Sequence, residues 1–263
     1  MNSKNKIPKK IFIIPYRDRE EYKKKFLERM MDHLNDDDDW EMYFSHQCDK
    51  RPFNRGAIKN IGFIAMKIKY PNHYKNISFI FHDIDTLPVL KGVFPYDTVE
   101  GKVAHYYGFK FALGGVFVIK GKDFENIKGF PNFWGWGFED NLLNKRCIIN
   151  NLIIDRSIFY NHKDKERLKY IERLDKDDGN VKLFTKREIY MQNENPEDIT
   201  DLKNVTFTIN DNFINITNFE TRISHTEHDF YLKKVTSTRA RGFPGYQGRD
   251  WNKLFRDLRN KNL

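Results

Sequence analysis

The first third of the chain alternates between short apolar runs and longer stretches with helical rhythm. Residues 11–15 are a β-branched run closed by proline, which predicts a buried strand. Between residues 18 and 34 the apolar positions Tyr22, Phe26, Met30 and Leu34 recur every fourth residue in a charged background, which puts them on one face of an amphipathic helix. Residues 41–45 predict a second strand. Residues 54–68 return to helical spacing through Ile58, Ile61, Phe63, Ala65 and Ile68, and residues 77–81 predict a third strand. Strand, helix, strand, helix, strand in that order predicts a parallel sheet with crossover helices. Ligands of such sheets gather at the carboxyl ends of the strands. Two charged motifs, at residues 15–19 and 83–85, lie at such ends and are expected to meet in space.

The pattern is less regular further on. Residues 114–140 are rich in glycine and aromatics, 141–151 can be helical, and 153–160 predict a strand. Residues 163–178 are highly charged and are expected to form a mobile, solvated segment. Residues 205–209 and 213–217 predict a hairpin around Asn210, Asp211 and Asn212. The tail from His225 onward is basic. The expected organisation is one α/β domain over residues 1–224, with residues 225–263 as a basic extension packed on it.

Composition narrows the class. A chain of 263 residues with 39% hydrophobic and 15% aromatic residues can bury a core without disulfides. Cys48 and Cys147 lack metal-type spacing and are expected to be free thiols. The net charge of +9 favours anionic partners, among them nucleotide diphosphates, polyanionic glycans, nucleic acid and anionic surfaces. The first ten residues are basic and polar, and the apolar run after them is too short for a signal peptide or a membrane span. A cytoplasmic or soluble protein is the expectation.

Candidate chemistry is concentrated in a few motifs. Asp83-Ile84-Asp85 after an apolar strand offers carboxylates for a hard divalent cation, which would bridge the phosphates of a nucleotide donor; two solvated turn carboxylates are the other reading. Pro15-Tyr16-Arg17-Asp18-Arg19 sets two guanidiniums around an aromatic, which suits a nucleotide, though it also suits a charged helix start. Phe53-Asn54-Arg55 is similar in kind. In the block from Gly129 to Asp140, Trp134 and Trp136 alternate with glycines, an unusual setting for core tryptophans, and exposed indoles beside Glu139 and Asp140 would suit a sugar; a core-packing tryptophan with a Glu-Asp pair at a helix start is the other reading. One of those acids would then be the general base for an attacking hydroxyl. His162 is either a metal ligand or a satisfied structural histidine.

In this order the motifs resemble the β-1,4-galactosyltransferase family, inverting enzymes of the GT-A fold. The resemblance runs through residues 13–19, 53–55 and 81–88, then Gly114-Gly115-Val116, residues 129–140 and His162, with a looser echo at 201–207. It implies a Rossmann-like, nucleotide-binding mixed sheet flanked by helices. It also implies transfer from a UDP-sugar to a carbohydrate hydroxyl with manganese as cofactor. Pro15, Tyr16, Arg17, Arg19, Phe53, Arg55, Asp83, Gly115 and Trp136 would bind the donor. Asp85 and His162 would hold the metal, Asp140 would be the base and Glu139 would orient a sugar, while Trp134 and Asn141 would meet the acceptor.

The chain departs from the family in several places. Asn141 replaces an acid. Ala112 replaces an aromatic and would open the donor pocket to an N-acetylhexosamine beside galactose. Phe159 stands where a methionine ligand is usual, so His225 or His228 is an alternative ligand. A glycan-binding module without turnover is the competing reading, set against the presence of both Asp85 and Asp140. A nucleic-acid-binding protein is a weaker one, because no nucleic-acid motif accompanies the basic tail.

Overall fold

The first strand, β1 (Lys10–Tyr16), buries both of its faces, which is why its sequence is a continuous apolar run. Ile11 and Ile13 enter one hydrophobic cluster, Phe12 and Ile14 the other. Helix α1 (Glu20–His33) lays Phe26 and Met30 on the Phe12 side. Strand β2 (Trp40–Gln47) returns parallel to β1, with Ile13 opposite Tyr43. Helix α2 (Arg55–Lys69) covers the Ile11 side with Ile58, Ile61, Phe63 and Ala65. Ile68, expected on the same stripe, is 65% exposed because it falls at the helix end, beyond the sheet. Strand β3 (Ser78–His82) pairs parallel with the other side of β1, Ile13 opposite Phe81. The computed structural model describes residues 6–34, 39–135, 137–161, 171–173, 181–184, 196–226 and 231–234, with the backbone alone for 173, 181–184 and 231–234.

Beyond β3 come β4 (Thr86–Pro88), β5 (Lys102–Gly108), β6 (Val116–Lys120), α3 (Gly121–Asn126), α4 (Glu139–Ile149), β7 (Ile153–Asp155) and β8 (Tyr160–Asn161). They are followed by β9 (Ile171–Arg173), β10 (Val181–Phe184), a 3-10 turn at Ile199–Asp201, β11 (Lys203–Asn210), β12 (Phe213–Glu220) and β13 (Tyr231–Lys234). Among the described residues the main sheet runs β11-β12-β2-β1-β3-β6-β5-β7, with β8 also on β5. It is mixed: β12, β2, β1 and β3 are parallel, while β6 is antiparallel to both β3 and β5. The chain leaves β1 for β2 on one side and then β3 on the other. That reversal opens a crevice at the carboxyl ends of β1 and β3.

The sequence pattern and the structure differ in three places. Within the glycine- and aromatic-rich middle lies the central strand β6, which is buried on both faces and so shows no alternation. The strand expected over 153–160 is broken, because Arg156 turns inward to donate to His105 Nδ1 at 2.9 Å and Asn144 Oδ1 at 3.0 Å. The solvated segment expected over 163–178 contains β9, antiparallel to β4, with Ile171 buried in the core. Its remaining residues lie outside the described ones.

The hairpin of β11 and β12 forms as expected and extends the sheet alongside β2. Strand β13, from the basic tail, pairs antiparallel with β10. Cys48 and Cys147 are free. No helix among the described residues is long and apolar enough to cross a membrane.

Candidate active site

The crevice is furnished first by α2. Asn54 caps this helix, its side chain accepting from Ala57 N at 2.9 Å, and its own N–H donates to Gln47 Oε1 at 2.9 Å. The cap fixes where the helix begins and so aims Arg55, its first residue, along the carboxyl edge of the sheet. Gly56 permits the close approach of the 130–131 backbone, since a Cβ there would overlap the Pro131 carbonyl oxygen.

The glycine-aromatic block is tied to α2 by buried amides rather than by regular structure. Asn60 Nδ2 donates to Phe130 O at 2.8 Å and to Asn132 Oδ1 at 3.0 Å, and Phe130 N donates back to Asn60 Oδ1 at 2.9 Å. Asn54 Nδ2 donates to Asn132 O at 3.0 Å. These bonds deliver the start of α4 to the crevice, with Glu139 and Asp140 in its first turn, where the helix dipole favours carboxylates. Leu113 N donates to Asp140 O at 2.9 Å, and a side chain at Gly114 would collide with the Asp140 carboxyl. The Gly-Gly pair therefore holds Asp140 on one side. On the other, the Gly115 carbonyl accepts from Asp83 N at 2.9 Å.

One guanidinium joins these parts. Arg55 Nη1 donates to Asp140 Oδ1 at 2.7 Å and Glu139 Oε1 at 2.8 Å, and Nη2 donates to Asp83 Oδ1 at 2.5 Å. Behind it lies Lys59, fully buried, with Nζ 3.6 Å from Asp83 Oδ1 and 3.9 Å from Asp140 Oδ1. Burial opposes the charge of Arg55, but Asp140, Asp83 and Glu139 outweigh it and hold its pKa well above the ordinary value. Burial pushes the Asp140 carboxyl up to about 6, although Arg55 and Lys59 pull it down. The Asp140 side chain keeps 21% of its surface exposed, so it is reachable from the crevice. It combines the position and the raised pKa of a group that exchanges protons near neutrality.

Asp85 stands further out at the same edge. Thr86 Oγ1 donates to Asp85 Oδ1 at 3.2 Å, and Arg19 Nη1 lies 3.7 Å from Asp85 Oδ2. Arg17 lays its guanidinium 5.1 Å above the Phe53 ring and donates to Arg51 O at 2.6 Å. The structure thus gathers Arg17, Arg19, Phe53, Arg55, Asp83, Asp85, Gly115, Glu139 and Asp140 around one crevice, from separate parts of the sequence.

Other expectations need correction. Pro15 and Tyr16 are buried within β1, and the Tyr16 ring packs edge-on against Phe44, His46 and Phe213. Trp134 is 1% exposed rather than open to an acceptor. Its ring stacks on Phe219 at 5.3 Å, and its Nε1 donates to Thr221 Oγ1 at 2.8 Å, because β12 supplies a partner for it. Asn141 is 8% exposed, and its amide donates to Phe111 O at 3.4 Å, bracing the loop before Gly114. Glu139, 5% exposed, has its oxygens on Arg55 and on Gly137 N at 3.1 Å, so it is tied into the Arg55 network.

Phe159 is buried against His105 at 4.8 Å, and His225 packs at 5.4 Å from Trp134. Trp136, His162 and His228 lie outside the described residues. Lys59 went unnoticed in the sequence, where a lysine within a helix suggests a solvated position.

Comparisons with known proteins agree on a family. The N-terminal region of glycosyl transferase group 7 matches residues 3–92, and the N-terminal domain of galactosyltransferase matches residues 97–184. β-1,4-galactosyltransferase 4 of Cricetulus griseus is 31% identical over 154 residues, covering 55% of this chain and 44% of that protein. The xylosylprotein 4-β-galactosyltransferase of Caenorhabditis elegans is 30% identical over 158 residues, covering 55% and 52%. The chain thus spans about half the length of the curated relatives it matches.

Among solved structures, the catalytic domain of Drosophila β-1,4-galactosyltransferase 7 with xylobiose superposes with a TM-score of 0.62 at 18% identity, over 80% of this chain and 94% of that one. A mutant of that enzyme with manganese, UDP-Gal and xylobiose gives a TM-score of 0.61 at 19% identity, over 80% and 94%. This likeness establishes the fold, a GT-A mixed sheet flanked by helices.

Proposed function

Because the chain belongs to the glycosyl transferase group 7 family, we propose that it is an inverting glycosyltransferase that moves galactose or an N-acetylhexosamine from a UDP-sugar to a carbohydrate hydroxyl. The observation that carries this reading is the Arg55 guanidinium, which places Asp140 and Asp83 at one crevice. Residues 1–224 form the transferase domain in this proposal, and 225–263 a basic extension packed on it. The named relatives are galactosyltransferases, and one solved neighbour holds UDP-Gal with manganese; both support the donor class. The choice between galactose and an N-acetylated sugar turns on the small Ala112.

Arg17, Arg19 and Phe53 bind the nucleotide, the guanidiniums on phosphate and the ring on the base. Asp140 takes the proton of the acceptor hydroxyl as that oxygen attacks the anomeric carbon from the face opposite the leaving UDP. Arg55 holds Asp140 in place, and Glu139 holds Arg55 and the Gly137 backbone. Asp85 is a hard oxygen donor at the carboxyl end of β3, of a kind that fits a hard divalent cation, and Asp83 supports the donor side from its bond to Arg55. Among the described residues no cluster of three or more His, Cys, Asp or Glu forms a metal site. His162, which lies outside the described residues, is the second ligand in this proposal. Bound there, manganese would neutralise charge on the departing diphosphate.

The test is UDP release from UDP-Gal, UDP-GalNAc, UDP-GlcNAc and UDP-Glc, with and without manganese and with acceptor sugars. Manganese-dependent release from at least one donor is expected. No release from any of them by folded protein would favour a glycan-binding module.

A further inference from the structure

Lys59 is anomalous. Its side chain is fully buried, and its ammonium has no hydrogen-bond partner among the described residues. A buried ammonium without a hydrogen bond is costly, and an aliphatic side chain would fill the same volume without that cost. The position explains its presence. Lys59 lies one helical turn after Arg55 on α2, so the two cations share a face. Its Nζ is 3.6 Å from Asp83 Oδ1 and 3.9 Å from Asp140 Oδ1, close enough for attraction without a formed hydrogen bond. The Phe130 ring, 4.9 Å from Nζ, offers its face from another side.

We propose that Lys59 is a positioning residue for the base: a buried ammonium behind Asp140 that keeps this carboxylate charged and in register without touching substrate. This rests on the transferase reading insofar as Asp140 is the base. The charged groups that face Asp140 are Arg55 and Lys59 from α2, Asp83 from the end of β3, and Glu139 from its own helix. Without Lys59, the guanidinium shared among three carboxylates would be the one cation facing Asp140, and Asp140, whose burial opposes its charge, would take up a proton more readily. Arg55 alone cannot prevent this, because its donors are already divided among three acids. Lys59 adds the second positive charge from the side closed to solvent, which leaves the open side of Asp140 for an acceptor hydroxyl.

The experiment uses Lys59→Met, which keeps the length of the side chain and removes the charge. The Asp140 carboxyl is titrated by carbon-13 NMR, with its signal assigned by its loss in Asp140→Asn, a readout that works whether or not the protein transfers sugar. The pH profile of kcat/KM is measured in parallel. Relative to wild type, the carboxyl midpoint and the acidic limb of the profile should both move upward by roughly one to three pH units.

A midpoint that stays in place in folded Lys59→Met overturns the proposal, and so does an unmoved acidic limb in an active enzyme. If Lys59→Met does not fold, Lys59→Gln takes its place, and failure of both to fold makes Lys59 a purely structural residue and likewise overturns it. A midpoint that shifts in a protein that turns over no donor would support the electrostatic role and remove the transferase reading instead.

Discussion

Asp83 and Asp140 accept hydrogen bonds from the two terminal nitrogens of a single guanidinium, Arg55 Nη2 at 2.5 Å and Arg55 Nη1 at 2.7 Å. This turns two acidic motifs, one closing a central strand and one opening a helix, into one site. It also gives Arg55 a double burden, since it orients the acids and offsets part of their charge.

Replacing Arg55 by Met should therefore damage both stability and activity. Removing one member of a buried ion network leaves charges uncompensated and costs on the order of 3–5 kcal/mol. The loss should be greatest at pH 7 and smaller at pH 4.5, where protonation relieves the carboxylates that remain. Urea denaturation at the two pH values checks this, and an equal loss at both would point to packing rather than charge.

Asp140→Asn keeps the shape of the side chain and removes the proton acceptor. Turnover should fall by about 10²–10⁴-fold while UDP-manganese binding, measured by calorimetry, changes little. In wild type the Asp140 carboxyl titrates near pH 6, raised by burial, and only its ionised form accepts a proton. The rate should thus drop about tenfold for each pH unit below that midpoint. A rate independent of pH between 5 and 8 would remove Asp140 from the role of base.

Glu197 is a second buried acid, remote in function. It is fully buried, with Oε1 accepting from Ile223 N at 2.6 Å and Oε2 without a hydrogen-bond partner among the described residues. Burial pushes its carboxyl up to about 7, against the opposing pull of the Ile223 N–H and Arg222. A carboxyl raised above its unfolded value contributes stability below the unfolded pKa and loses it as pH rises through the folded one. Glu197→Gln should therefore melt about 3 °C or more above wild type at pH 8.5, with the gap closing or reversing at pH 5. Thermal scans at the two pH values decide it.

Gly56→Ala should destabilise by roughly 1–3 kcal/mol, because the added methyl would overlap the Pro131 carbonyl where α2 meets the glycine-aromatic block. Turnover should fall with it, since the same contact sets Arg55 against Glu139 and Asp140. Denaturant melts and kcat check both parts, and unchanged stability would mean that the block yields freely.

Much of this was legible in the chain itself. Runs such as residues 11–15 and 77–81 reveal central strands by composition alone, and the fourfold spacing of Tyr22, Phe26, Met30 and Leu34 reveals α1. Asp83, Arg55 and Asp140 stand in motifs whose chemistry suggests a shared site. What stayed hidden depends on partners distant in sequence. Trp134 between glycines suggests an exposed ring, and only Phe219 on β12 makes it core. Lys59 in an amphipathic helix suggests a solvated cation, and only the Asp83 and Asp140 carboxylates above it give it a purpose. Strand β6, buried on both faces, lacks the alternation that would mark its boundaries.

The central claim is that the carboxyl end of β3 and the first turn of α4 enclose one metal-assisted transfer site. Crystals grown with UDP and manganese, measured at the manganese absorption edge, test it most directly. The account predicts an anomalous peak in coordination contact with Asp85, with the UDP phosphates beside Arg19 and the Asp140 carboxyl facing the same crevice. A peak elsewhere on the molecule, or UDP bound away from β3 with no metal at Asp85, would contradict it.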